Sequence, residues 1–532
     1  MMLNPTYSTH GMAVAPHALA SQSALAILRE GGNAIEAMVA AAASIAVVYP
    51  HMNSIGGDGF WLILPPNAAP IAIDACGRSG SLATIERYEA QGLNSIPIRG
   101  PLAANTVAGT ISGWNEALAV STRAGGTMPL RRLLADAIEY ARDGIPVTRS
   151  QHASTMAKLP ELRDQSGFSE CYLQDGAVPI QGSRFRQPAL SSTLARLAEA
   201  GLDSFYRGEL ATELARELAV VGAPVTLEDL QAHRAIVGTP VHLSHSRGDL
   251  YNLGPPTQGV VSLLILGILD RLGLDPAIAE TADYVHLVVE ATKQAFKIRD
   301  RHIADPAAMT IDPQALLSRE ALSELAGQVD RTKALPWGAR TKPGDTIWMG
   351  VIDRSGLAVS FIQSTYHEFG SGIVVGDSGI VWQNRGASFR LEPDHLLALR
   401  PGKKPFHTLN PAGARLKDGR ALVYGTMGGD GQPQTQATIF SRYALFDQNC
   451  QQAITAPRWL LGRTWGKVSD TLKLEARFDP AMVAALAAKG HDVEMIGAFD
   501  ESVGHAGMVV HHPGGLYEGG ADPRSDGVVA AF

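Results

Sequence analysis

Gly344-Asp345-Thr346-Ile347-Trp348-Met349-Gly350-Val351-Ile352 is the stretch of this 532-residue chain that decides its fold. Ile347, Met349 and Val351 alternate with Trp348 and Ile352, so both faces of an extended segment are apolar, which predicts a strand covered on both sides. The four residues Asp353-Arg354-Ser355-Gly356 read as a turn, and Leu357 to Ser364 as a returning antiparallel strand. Upstream, Ala334 to Asp345 holds Pro336, Gly338, Arg340, Lys342, Pro343 and Gly344 without an apolar period, which predicts an exposed linker. A threonine, Thr346, therefore stands where an exposed linker enters a buried strand.

That placement suits a particular chemistry. A threonine hydroxyl is a weak nucleophile until a base takes its proton, and the nearest base available to Thr346 is its own α-amine. The amine exists only after the Asp345-Thr346 bond is cut. The hydroxyl can make that cut itself by attacking the Asp345 carbonyl from a strained backbone, giving an ester that water opens. An α-amine with an ordinary pKa of about 7.7 to 8.0 then serves as general base near neutral pH. Gly-Asp-Thr is by itself an ordinary turn entering a strand, so the rest of the chain has to support this reading.

Working outward, the amino-terminal part predicts two packed helices, His17 to Glu30 stopped by Gly31-Gly32, then Asn33 to Val48 with Asn33 as N-cap and Glu36 completing a capping box. The loop Ile55-Gly56-Gly57-Asp58-Gly59-Phe60 follows, then strands at Trp61 to Leu64 and Pro70 to Asp74. Leu130 to Asp330 reads as mainly helical, with Tyr284 to Ile303 the clearest amphipathic segment. Beyond Ser364, strands are expected at Gly372 to Val375, Gly379 to Trp382, Ala412 to Leu416 and Ala421 to Thr426. A helix is expected from Pro433. A layered α+β arrangement, αββα, accommodates these elements.

Composition narrows the classes. With 45 basic and 52 acidic residues the net charge is -7, which advertises neither nucleic acid nor an acidic membrane. The three cysteines, Cys76, Cys171 and Cys450, are far apart, fitting a reducing compartment. Residues 1 to 22 lack the basic and apolar regions of a secretory signal, and the apolar run Ala37 to Val48 is too short to span a bilayer, so a cytoplasmic protein is expected. His511-His512 are adjacent, and no histidine pair falls on a predicted helix beside suitable acids, so no metal site is expected. Gly428-Gly429, between a strand and a helix, can aim backbone N-H groups at developing negative charge. As a nucleotide-phosphate loop it would lack the Lys-Ser/Thr of a P-loop.

The chain resembles the γ-glutamyltransferase family along nearly its whole length. The resemblance rests on Glu30-Gly31-Gly32-Asn33-Ala34, Ile55 to Phe60, Gly125-Gly126-Thr127-Met128-Pro129-Leu130 and Ala141-Arg142-Asp143-Gly144. It continues in Gly254-Pro255-Pro256, Phe369-Gly370-Ser371-Gly372, Met427-Gly428-Gly429, Ala456-Pro457-Arg458 and Asp522-Pro523-Arg524-Ser525, in the family's order. It implies a four-layer αββα N-terminal-nucleophile hydrolase and self-cleavage into a large segment, 1–345, and a small segment, 346–532. The two segments would stay associated, with pairing of two such heterodimers left open, and no metal or organic cofactor is implied. Thr346 is then the nucleophile, Ser364 the hydroxyl residue hydrogen-bonded to it, and Gly428 and Gly429 the oxyanion hole.

The substrate site departs from the family's pattern. Where the family has an acidic residue holding the substrate's amino group, this chain has Ser388, and Tyr366 stands for that acid's asparagine partner. His407-Thr408 replace twin serines, and Cys76, with Arg78 two residues on, stands at the carboxylate-binding arginine. A neutral Ser388 leaves an ammonium poorly paired. Arg78, Arg385 and His407 remain to meet a carboxylate, Arg through its planar fork, and Glu368 is expected to pair with an arginine. The expected substrate is thus a small anionic amide without an amine. Thr346 to Gly350, Tyr366 to Gly372 and Gly425 to Gln436 resemble the family's branch that hydrolyses oxamate to oxalate and ammonia in purine-derived nitrogen salvage. The alternatives are a γ-glutamyltransferase, a glutathione hydrolase or related acylase, and an uncleaved binding protein.

Overall fold

The computed structural model describes residues 4–338, 345–462 and 470–532, with Asp345 described only as part of its strand. Two seven-stranded sheets form the centre of the molecule. The first runs, in spatial order, Val528–Ala531, Met12–Ala15, Asp345–Ile352, Ala358–Tyr366, Asp58–Leu64, Ile71–Asp74 and Ile236–Gly238. The second runs Thr6–Ser8, Tyr517–Ala521, Ala506–His511, Ala421–Thr426, Ala412–Leu416, Gly248–Asn252 and Val241–His245. All neighbours in both sheets are antiparallel.

The two apolar faces of Ile347 to Ile352 explain the layering. Ile347, Met349 and Val351 point into an outer core with the helix Ala34–Val48, all fifteen of whose residues are buried. Trp348 and Ile352 point the other way, into a core between the sheets with Leu62, Val423 and Val509. The second sheet turns Ala414, Leu422, Tyr424 and Met508 outward onto the helices Gly259–Leu272, Ala282–His302 and Gly431–Ala444. The result is αββα. The indole of Trp348 fits a socket of glycines: a Cβ on Gly425 or Gly507 would approach the ring to 2.3 or 2.4 Å, and its Nε1 donates to Ser360 Oγ at 2.9 Å.

Local signals set the helix ends. Asn33 caps the helix Ala34–Val48, its side chain accepting from the backbone of Ile35 and Glu36 while Glu36 accepts from Asn33 N-H. Asp353 to Gly356 forms the expected turn, with Gly356 at φ 83°. Two expectations change. Gly372 to Val375 and Gly379 to Trp382 make isolated bridges instead of strands, Val374 with Val381 and Trp382 with Gly56, because left-handed Phe369, Gly370, Gly372, Gly376 and Gly379 break the extended backbone. Within the stretch read as mainly helical, Ile236–Gly238 and Val241–His245 are edge strands of the two sheets and Gly248–Asn252 is the strand next to the edge. The linker residues 339–344, including Arg340, Lys342, Pro343 and Gly344, lie outside the described residues.

Candidate active site

Thr346 is fully buried at the start of its strand. Asp345 pairs with Tyr366 and Ile347 with Gln363, so Thr346 alone faces two residues, Ser364 and Thr365, and the neighbouring strand Ala358–Tyr366 bulges opposite it. Ser364 sits across this irregularity and is itself paired with Asp58 on the neighbouring strand. Its Oγ accepts from Tyr366 N-H at 2.8 Å, leaving its proton for another acceptor. Tyr366 holds φ 86°, a left-handed conformation disfavoured for an aromatic residue, beside the expected cleavage bond.

A cavity of about 80 Å³ opens here, lined in part by Tyr366, Ser388, Thr408, Arg299, Arg390 and Asp430. Gly428 and Gly429 have φ of 121° and 50° and directly precede Asp430 and the helix Gly431–Ala444. The Gly428 carbonyl accepts from Gly431 N-H at 2.7 Å. Gly429 N-H donates to no acceptor among the described residues.

Arg385 and Ser388 share one short 3-10 turn, Arg385–Ser388. The guanidinium of Arg385 is 0% exposed and lies 3.6 Å from the centre of the Tyr366 ring. Its Nη2 donates to Thr408 Oγ1 at 3.1 Å and Nη1 to the Phe406 carbonyl at 3.3 Å, while Nε has no acceptor. It forms no ion pair among the described residues, and burial lowers its pKa to about 10. The Ser388 hydroxyl is also buried without a partner.

Behind this turn lie His407 and Asp58, with His407 Nε2 3.0 Å from Asp58 Oδ2. Burial, and then the cations Arg385 and Lys404, hold the His407 imidazole well below its usual pKa, so it is neutral. Burial raises Asp58 to about 7, against hydrogen bonds from Gly77, Gln383 and Gly109. A carboxyl raised in the folded state contributes stability while protonated. That contribution is complete below its ordinary value of 3.8 and is lost as pH rises toward about 7. Asp58→Asn, which stays neutral, is therefore expected to gain on the wild type by on the order of 2 kcal/mol between about pH 5 and about pH 8. Urea unfolding at both pH values checks this; a gap unchanged with pH would contradict it.

Asp58, Cys76 and His407 bring potential metal-ligand atoms within 4.8 Å of one another, as do His286, Glu290 and His491. In both groups protein partners already engage the donors. Asp58 Oδ1 accepts from Gly77, Gly109 and Gln383. Glu290 pairs with Lys293 at 2.7 Å, and His286 bonds His491 and the Asp330 carbonyl. Neither donor set fits a resident metal without breaking those bonds.

Among the residues expected from sequence to touch substrate, Tyr366, Ser388 and Thr408 line the cavity, and Arg385 and His407 pack behind it. Arg78 does not line it: its side chain is half exposed, donates to the Gly402 carbonyl at 2.9 Å and stands 3.8 Å from Asp305. The Glu368 carboxylate pairs with Lys158 at 3.5 Å, and the arginine that reaches this residue, Arg99, bonds its backbone carbonyl at 2.6 Å instead. Sequence reasoning missed Arg299 and Asp430, an ion pair of 2.9 Å in the cavity wall. Asp430 could have been found by its adjacency to Gly429; Arg299, on a distant helix, carries no local signal.

Four layers, with a threonine at the start of a central strand and opposite a bulge in its neighbour, are the architecture of an N-terminal-nucleophile hydrolase. The chain belongs to the gamma-glutamyltranspeptidase family, whose model matches residues 20–532. It is 64% identical over 532 residues, 100% of both chains, to the oxamate amidohydrolase proenzyme of Klebsiella pneumoniae subsp. pneumoniae. It is 38% identical to the glutathione hydrolase-like YwrD proenzyme of Bacillus subtilis, over 98% of this chain and 99% of the other. Among solved structures, cephalosporin acylase from Bacillus halodurans superposes with a TM-score of 0.92 at 32% identity, covering 100% of this chain and 97% of that one. No helix among the described residues is long and apolar enough to cross a membrane.

Proposed function

We propose that this chain is the precursor of an amidohydrolase that cuts itself between Asp345 and Thr346 and then hydrolyses oxamate to oxalate and ammonia. The observation that carries the substrate is Arg385: a fully buried guanidinium, without a carboxylate partner among the described residues, bonded to Thr408 on the cavity wall. A buried charge is costly until an opposite charge meets it. A substrate carboxylate seated against Thr408 supplies that charge, whereas Ser388 offers an ammonium a hydroxyl oxygen but no opposite charge, and Asp430 in the same wall is already paired with Arg299. The name of the 64% identical relative supports the same substrate.

In this reading residues 1–345 and 346–532 remain together as one αββα unit. The Thr346 hydroxyl gives its proton to its α-amine and attacks the oxamate amide carbon. The tetrahedral oxyanion is met by the N-H groups of Gly428 and Gly429, and Ser364 orients the nucleophile. The α-ammonium returns the proton to the departing nitrogen, ammonia leaves, and an oxalyl ester remains on Thr346. Water, deprotonated by the same amine, opens the ester to oxalate. With its three cysteines all free, as suits a reducing compartment, the enzyme would work in the cytoplasm, on an amide of purine-derived nitrogen.

The test is direct. Purified, cleaved protein should release ammonia from oxamate at least about 100-fold faster, by kcat/KM, than it hydrolyses γ-glutamyl-p-nitroanilide, the gap expected from losing a buried charge partner. The reverse order, or stimulation by dipeptide acceptors with glutathione as donor, would replace this reading with γ-glutamyl transfer.

A further inference from the structure

We propose that Gln258 is the positioning residue of the oxyanion turn, holding Gly428-Gly429 at a fixed spacing from the Thr408 wall that anchors Arg385. The inference rests on the reading of these two glycines as oxyanion donors. Gln258 is fully buried at the entry to the helix Gly259–Leu272. Its Nε2 donates to the Gly429 carbonyl at 2.8 Å and to the Thr408 carbonyl at 2.9 Å. Its Oε1 faces Arg299 Nη1 at 3.4 Å, and the same Nη1 bonds Asp430 at 2.9 Å. Two carbonyls on one side and a guanidinium on the other fix the orientation of the amide.

The geometry has a direct consequence for the turn. In a trans peptide the carbonyl of one residue and the N-H of the next point in opposite directions. The Gly428 carbonyl is drawn toward Gly431 N-H, so Gly429 N-H faces away from the helix. The Gly429 carbonyl, held by Gln258 at 2.8 Å and more loosely by Gln432 N-H at 3.2 Å, fixes the next peptide plane. Without the side-chain anchor, one long bond to the first turn of the helix would be left to restrain two glycines with positive φ. Gln258 itself is firmly rooted. Its backbone N-H bonds the His407 carbonyl at 2.9 Å, and a Cβ on the adjoining Gly259 would lie 2.2 Å from the Leu253 carbonyl, so nothing larger fits there.

Thr408 joins the two ends of the site: its hydroxyl accepts from Arg385 and its carbonyl from Gln258. In a substrate whose carboxylate and scissile carbonyl occupy adjacent carbons, those two ends cannot be adjusted separately. One amide side chain ties them together.

Gln258→Met keeps the volume and removes both donors. On the cleaved enzyme, kcat is expected to fall about 10- to 100-fold, less than for loss of an oxyanion donor itself, while KM and inhibition by oxalate stay within about threefold. The assay uses whichever of oxamate and γ-glutamyl-p-nitroanilide the wild type turns over, so a wrong substrate is seen in the wild type and leaves Gln258 testable. A kcat within about twofold of wild type overturns the inference. So does a parallel loss of kcat, KM and oxalate inhibition, which would mark a general structural role. Should Gln258→Met fail to accumulate, Gln258→Glu sets an oxygen against the two carbonyls; it should lose at least as much kcat, and wild-type kcat there overturns the inference equally.

Discussion

Thr346→Ala is expected to remain one polypeptide of the full 56.4 kDa on a denaturing gel and to lose amidase activity by a factor on the order of 10⁴ or more, as removal of a covalent nucleophile does. Both losses follow from one atom. Alanine keeps the strand, because its methyl sits where the threonine Cβ is buried, so stability should scarcely change. Thr346→Ser separates the two roles. It retains a hydroxyl and, after cleavage, an α-amine, so it should mature and turn over, more slowly in both steps because the γ-methyl no longer restricts χ1. Intact-mass measurement decides: wild type and Thr346→Ser giving two masses, Thr346→Ala one. Full amidase activity from an uncut chain would end the proposed mechanism.

Arg385→Met is the second large effect, and its two consequences have opposite signs. Removing the partner of a substrate carboxylate in a desolvated site costs about 2 to 5 kcal/mol, so kcat/KM for oxamate should fall by roughly 30- to several-thousand-fold. Yet in the unliganded protein this guanidinium is buried without an ion-pair partner among the described residues, and one of its nitrogens has no acceptor. An apolar side chain of similar length should stabilise the fold by about 1 to 3 kcal/mol. Arg385→Lys should lie between, since an ammonium can reach the carboxylate without forking. Thermal melts and oxamate kinetics on the same samples check the pairing of signs. A destabilised Arg385→Met with unchanged KM for oxamate would make Arg385 a structural residue.

Where the sequence was legible, the signal was local. Alternation from Ile347 to Ile352 announced a strand between two cores, and the capping box at Asn33 announced a helix start; both are complete within a few residues. Asp58 was visible only as one letter in a glycine-rich loop. Its partner His407 lies 349 residues away, and nothing near either residue encodes the meeting. Arg299 and Asp430, 131 residues apart, escaped for the same reason. Short edge strands such as Val241–His245, five residues long and set among helices in the sequence, carry too few alternations to stand out.

The order of strands has a last implication for the matured protein. In the first sheet Met12–Ala15 lies between Val528–Ala531 and Asp345–Ile352, and in the second the amino-terminal Thr6–Ser8 pairs with Tyr517–Ala521. The proposed scission at 345/346 would therefore yield two polypeptides woven through one another, neither able to leave without unzipping both layers. Once melted, such a pair must find its partner again by diffusion, from fragments that no longer share a tether. Heat inactivation of the cut form is then expected to be set by the height of the unfolding barrier rather than by an equilibrium between folded and unfolded states.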